Sequence, residues 1–142
     1  MSTQTIAISK QSNPSATVTI QPVDDDVVEI GIRSELTAAV EEPLNRAWEQ
    51  VDDVRVIMLD LEEVNYLNGY GIALLITLLR HVRERDRHLL AFGASPHCRQ
   101  ILSLVRLDEV IQLFDSRQEA LAAFPMQRRY VLQDSLQQVH RV

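Results

Sequence analysis

The sequence predicts an α/β fold, a small mixed β-sheet that opens with a hairpin and is covered by helices. Three observations carry this. Two short segments alternate apolar and polar residues on either side of Asp24-Asp25-Asp26, the pattern of two antiparallel strands and a polar turn. Further on, short apolar runs alternate with segments of helical period, which implies parallel strands joined by crossover helices. The chain has 142 residues, 46% apolar and 24% charged, the make-up of one globular domain.

Residues 1–16 are rich in Ser, Thr, Gln and Asn and read as a flexible N-terminal tail. Thr5-Ile6-Ala7-Ile8-Ser9 alternates, so a short edge strand is the other reading there. The domain proper is expected over 17–124. Thr17-Val18-Thr19-Ile20 and Val28-Glu29-Ile30-Gly31-Ile32 form the hairpin. The Asp triplet between them is a solvated turn, since no carboxylate ladder of calcium-loop type follows it. A helix comes next, capped by Ser34 or Thr37, with Pro43 in its first turns and Leu44, Ala47, Trp48 and Val51 facing inward. Val54 to Leu61 is nearly continuously apolar and reads as a central strand buried on both faces. After the loop 62–67, a strong helix opens at Asn68-Gly69-Tyr70-Gly71, with Ile72, Leu75, Leu79 and Val82 on one stripe. His88 to Gly93 is another buried strand. Ser95-Pro96 starts a helix carrying Ile101, Leu102 and Val105. Ile111 to Phe114 is a short strand, and Ser116 caps a last helix with Ala120, Leu121 and Phe124 toward the core, ended by Pro125. Residues 125–142 form a C-terminal extension, expected to be helical from the spacing of Leu132, Leu136 and Val139.

Several function classes are excluded or disfavoured by what is absent. A net charge of −6 argues against a general nucleic-acid binder. The longest apolar run, Ile72 to Leu79, is broken by Thr77 and is too short to cross a membrane. The N-terminus lacks a basic stretch before an apolar one, so a cytoplasmic location is expected. Cys98 is the single cysteine, so no disulfide can close within the chain. Neither GxGxxG nor GxxxxGK[ST] occurs, and none of His81, His88, His97 and His140 stands in an HExxH pair. Cys98 beside His97 near a helix start reads as a helix-surface thiol next to a surface histidine, not as a nucleophile and base. No catalytic residue, metal or cofactor is expected. Arg80, Arg83, Arg85 and Arg87, with His81 and His88, cluster at the end of the long helix, where cations are favoured by the helix dipole.

Three strings, taken in order, carry a resemblance. They are Ile57 through Gly71, Leu89 through Ser95, and Ile101 through Glu109. Over roughly 17–124 the chain resembles the STAS domain, the family of bacterial anti-sigma factor antagonists and of sulfate-transporter tails. That family has a strand ending in Asp-Leu, matched by Asp60-Leu61, and a helix opened by Asp-Ser-Ser-Gly or Asp-Ser-Thr-Gly, whose final glycine matches Gly71. Leu102 to Leu107 matches its leucine-rich helix. The departures fall in the motif itself. Asn68 stands at the family's aspartate, Gly69 at its phosphorylatable serine and Tyr70 at the next small hydroxyl residue. The resemblance implies that a serine-kinase anti-sigma factor is the partner, and that phosphorylation cannot act at Gly69, which has no hydroxyl.

The residues themselves read two ways. Asn68-Gly69 is either a tight turn with an N-cap or a shaped docking surface: a bare helix N-terminus with free amides, flanked by Tyr66, Leu67 and Tyr70. Leu67 is expected to be buried and Tyr70 exposed. The function implied is regulatory protein–protein binding, with no enzymatic activity, on Tyr66, Asn68, Gly69, Tyr70 and Gly71. A soluble accessory subunit of a membrane phospholipid transporter is the second reading, and a small-molecule sensor the third. A monomer and a homodimer are both open.

Overall fold

The computed structural model describes residues 18–51 and 53–123. The expected tail, its Thr5–Ser9 strand, Phe124, Pro125 and the 125–142 extension lie outside the described residues. The hairpin consists of β1 (Val18–Asp24) and β2 (Val27–Ile32), paired antiparallel with Ile20 opposite Ile30. β1 runs further than its alternation suggests and contains Pro22, which an edge strand tolerates because one row of its backbone groups has no ladder to donate to. The Asp triplet makes the turn, with the Asp24 carboxylate accepting from the Asp26 N–H at 3.3 Å.

A 3-10 turn (Ala38–Val40), capped by Thr37, leads into α1 (Glu41–Glu49). Ser34 caps nothing: its hydroxyl bonds the Glu35 carbonyl. Then come β3 (Val56–Asp60), α2 (Gly69–Glu84), β4 (His88–Phe92), α3 (Pro96–Leu104), a second 3-10 turn (Leu107–Glu109) and β5 (Gln112–Phe114). Residues 117–123 are helical, α4. The sheet order is β1-β2-β3-β4-β5, parallel from β2 onward, with β3 at the centre and fully buried as expected.

Period-two alternation splits the sheet into two faces. One carries Ile30, Ile57, Leu59, Leu89 and Ala91, packed against Leu44 of α1, Leu75 of α2 and Leu102 of α3. The other carries Val27, Val56, Met58, Leu90 and Phe92, packed against Ala120 of α4. Arg117 anchors α4 there, its Nε 2.8 Å from the buried Glu29 carboxylate.

Local signals held at the helix starts: Ser95 accepts from the Cys98 N–H and Ser116 from the Glu119 N–H. Some side-chain placements differ from expectation. The buried stripe of α2 is Gly71, Leu74, Leu75, Leu78 and Val82, with Ile72 and Leu79 only half-buried at its margin. The apolar run is too continuous for period alone to orient the helix, and the close approach of Gly71 to the Leu36 backbone sets its rotation. Burying the four large side chains contributes about 6–12 kcal/mol before entropy. Val105 is exposed, because α3 stops at Leu104 and Arg106 turns the chain with φ 64°. Cys98 is not a surface thiol. It is 2% exposed, and its Sγ lies 3.5 Å from the Val64 carbonyl, because it sits in the first turn of α3 on the side facing the β3–α2 loop. His97 does point outward. The basic cluster divides: Arg87 is buried with its guanidinium 5.6 Å from the centre of Trp48, while His81 stacks on Trp48 at 5.9 Å. Burial, then the charge of Arg85, lowers the Arg87 pKa from its ordinary value, against the pull of Asp53.

Candidate functional site

The carboxyl ends of β2 and β3 lie side by side, with Gly31 opposite Asp60. Each strand feeds a loop, and the two loops are tied together. The Leu36 N–H donates to the Tyr66 carbonyl at 2.9 Å, the Asn68 N–H donates to the Leu36 carbonyl at 3.4 Å, and Leu36 and Leu67 form a parallel bridge. Leu67 is buried, as expected. This clamp fixes where α2 begins.

Asn68 is the N-cap. Its backbone is extended and its Oδ1 accepts from the Gly71 N–H at 3.0 Å. The Ile72 N–H reaches the Asn68 carbonyl at 3.0 Å. The amides of Gly69 and Tyr70 then have no acceptor among the described residues. They carry the positive end of a 16-residue helix.

The two glycines here do different work. A Cβ on Gly71 would run into the Leu36 carbonyl, with the carbonyl carbon at 2.8 Å, so glycine is what lets α2 lie against that loop. A Cβ on Gly69 would meet nothing within 4 Å among the described residues. The surface at Gly69 is open, and the exposed Tyr66 (46%) and Tyr70 (47%) flank it. Tyr70 is tethered: its hydroxyl donates to Glu41 Oε1 of α1 at 2.7 Å. That hydrogen bond, then the charge of Glu41, raises the Tyr70 pKa above its ordinary value. The five residues singled out from the sequence therefore fall on one patch, but Gly71 is its packed base and not part of its exposed surface.

Beneath the patch is an ionic cluster that sequence reasoning missed. Arg33 Nη1 lies 2.6 Å from Asp60 Oδ2 and 3.2 Å from Glu63 Oε2. Asp60 is buried, and its Oδ1 accepts from the Glu62 N–H at 2.9 Å. Gly31 makes room: a Cβ there would sit 2.6 Å from Arg33 Nη2. Burial lowers the Arg33 pKa, but the hydrogen bond and charge of Asp60, with Glu63 and Glu29 behind, outweigh it and hold it above the ordinary value. No short-range pattern marks this cluster, since Arg33 and Asp60 are 27 positions apart. Beside it a groove of about 460 Å3 is lined by Arg33, Ser34, Glu35, Thr37, Glu63 and Asn65. Among the described residues, no group of three or more His, Cys, Asp or Glu side chains is placed to hold a metal, and no helix is long and apolar enough to cross a membrane.

The family model of the STAS domain matches residues 20–120. The anti-sigma-B factor antagonist of Listeria monocytogenes is 26% identical over 98 residues, which is 68% of this chain and 86% of that protein. Among solved structures, an anti-sigma factor antagonist from Mycobacterium paratuberculosis is similar with TM-score 0.66 and 22% identity, covering 77% of this chain and 93% of that one. A sulfate transporter family protein from Wolinella succinogenes is similar with TM-score 0.68 and 20% identity, over 75% and 90%. At such identities the structural likeness speaks for the fold. The family match takes in β2 through β5 and the helices α1 to α3, so this chain belongs to the STAS domain family.

Proposed function

We propose that this protein is an anti-sigma factor antagonist, a binding module and not an enzyme, which docks an anti-sigma factor on the N-terminus of α2 through Tyr66, Asn68, Gly69 and Tyr70. The observation that carries the reading is the open position at Gly69: among the described residues, two amides without an acceptor and no neighbour within 4 Å of a Cβ built there, with the exposed Tyr66 and Tyr70 beside it. A partner can approach the backbone closely at a glycine, and aromatic side chains at the rim supply anchors. The similarity to the Listeria antagonist supports the partner class.

In the family resemblance, Gly69 occupies the position of the phosphorylated serine. With no side-chain oxygen to accept a phosphate at Gly69, the family's switch cannot operate at this position. Control must then lie in the amount of either protein or in a different contact.

The test is affinity capture from native cytosol with the wild-type chain and with Gly69→Asp, followed by calorimetric titration of the recovered protein. The open space at Gly69 accommodates aspartate, and a carboxylate is tolerated at a helix N-terminus. The fold should survive while affinity falls ~10²-fold, the effect of an unpaired charge in a close contact. Intact-mass spectrometry after incubation with ATP should find no phosphate on residues 66–77. Unchanged affinity with an intact fold, or a stoichiometric phosphate in that segment, would contradict the reading.

A further inference from the structure

The helix α2 has a second exposed stripe, distinct from the patch at its N-terminus. Ile76, Leu79, Arg80 and Arg83 recur at three- and four-residue spacing and so share one face. They line, with Glu84, a groove of about 380 Å3. The groove continues past Leu79 and Arg83 into a recess bordered by Val110, Arg87 and His88. Two of its apolar residues are open to solvent, Ile76 at 42% and Val110 at 37%, and Leu79 between them is half-buried.

The rim is the unusual part. In a chain of net charge −6, this groove is edged by Arg80, Arg83 and one carboxylate, with the buried Arg87 in the adjoining recess. That carboxylate, Glu84, leans toward His81, 3.9 Å away. Arg80 and Arg83 have no ion-pair partner among the described residues. The helix dipole accounts for Arg83, which lies in the last turn of α2, but not for Arg80, which precedes it.

We propose that this groove is a second docking site, and that its occupant is an acidic amphipathic segment of a partner protein. Its apolar side chains would fill the space between Ile76, Leu79 and Val110, and its Asp or Glu side chains would meet Arg80 and Arg83. The charge pattern chooses among occupants. Symmetric pairing of two copies through this face would set arginines against arginines. An anionic bilayer would be opposed by the net charge of −6 and would want projecting apolar side chains, whereas Leu79 is half-buried between the arginines. The groove begins seven residues beyond Gly69, about 10 Å along the helix axis, so a partner here need not displace one at the N-terminus.

A display library of random 16-residue peptides, panned on the full chain with counter-selection on Arg80→Glu/Arg83→Glu, reads the preference directly. Selected peptides should carry Asp or Glu beside Leu, Ile, Phe or Met at helical spacing. A synthetic peptide of the most enriched sequence should bind the double variant at least tenfold more weakly and Ile76→Ser several-fold more weakly. It should bind Gly69→Asp and Leu104→Ala like the wild type, the latter an exposed apolar residue outside the groove. Circular dichroism melts control for folding. Failure to enrich acidic peptides, or equal binding to the double variant, overturns the proposal. So does phosphatidylglycerol vesicle binding, or a dimer in light scattering, that is lost on charge reversal while no acidic peptide is selected. Because Gly69→Asp is included, the result does not depend on the site proposed for the anti-sigma factor.

Discussion

Two glycines two residues apart should respond to alanine with opposite sign. At Gly71 a methyl group meets the Leu36 backbone, with the carbonyl carbon at 2.8 Å where ordinary contact begins at 3.4 Å. The helix must retreat by at least the difference, 0.6 Å, and by more to clear the oxygen. Two hydrogen bonds hold the loops together at this point, from the Leu36 N–H to the Tyr66 carbonyl and from the Asn68 N–H to the Leu36 carbonyl. Weakening both costs about 1 kcal/mol each, and overpacking adds about 1–3 kcal/mol. With partial relaxation, Gly71→Ala should lose about 2–4 kcal/mol, a fall in Tm of roughly 8–16 °C for a domain of this size. At Gly69 the methyl group meets nothing, and alanine restricts the unfolded chain, so Gly69→Ala should gain up to about 1 kcal/mol. Thermal and urea unfolding of both variants provide the assay. A Gly71→Ala protein as stable as wild type, or a Gly69→Ala protein less stable than Gly71→Ala, would refute the assignment of packing to one glycine and openness to the other.

Other outcomes follow from the same geometry. Arg33→Met strands the buried Asp60 carboxylate and should cost about 3 kcal/mol, the low end for breaking a buried pair because the Arg33 side chain is 26% exposed; urea midpoints measure it, and a loss below about 1 kcal/mol would mean that the pair behaves as a surface one. Tyr70 should ionise at higher pH in the wild type than in Glu41→Ala, followed by the NMR shift of its ring carbons. Its folded pKa is raised, so the bond to Glu41 is present below the ordinary tyrosine value and is lost as pH rises through the raised one; coincident titrations would show that the bond does not persist in solution. Cys98 should resist Ellman's reagent in the native protein and react stoichiometrically in denaturant, whereas rapid native labelling would contradict its burial against Val64.

What was legible in the sequence was local. Alternation gave away the hairpin, β-branched apolar runs the parallel strands, and Ser95, Ser116 and Asn68 the helix starts, because each of these signals lies within four residues of the structure it creates. The order of strings from Ile57 to Glu109 was enough to suggest the family that the comparison then established. What stayed hidden depends on residues far apart. Nothing near Arg33 announces Asp60, and nothing near Gly71 announces that the Leu36 backbone will lie against it. The same holds for Cys98, whose burial is decided by the β3–α2 loop 34 positions earlier, and for Arg87, drawn over Trp48 of α1. The buried stripe of α2 differs from the expected one by a fraction of a turn for a related reason. A nearly unbroken apolar run carries no angular information, and a contact with another loop supplies it.

The exposed N-terminus of α2 is the surface proposed to receive the anti-sigma factor. Amide hydrogen exchange, read residue by residue on this chain with and without the captured partner, tests it most directly. The free amides of Gly69 and Tyr70 should exchange fast alone and slow sharply in the complex, together with Tyr66 and the adjacent loop, since docking must cover or bond them. Protection confined to other parts of the molecule, with residues 66–70 exchanging as they do in the free chain, would contradict it.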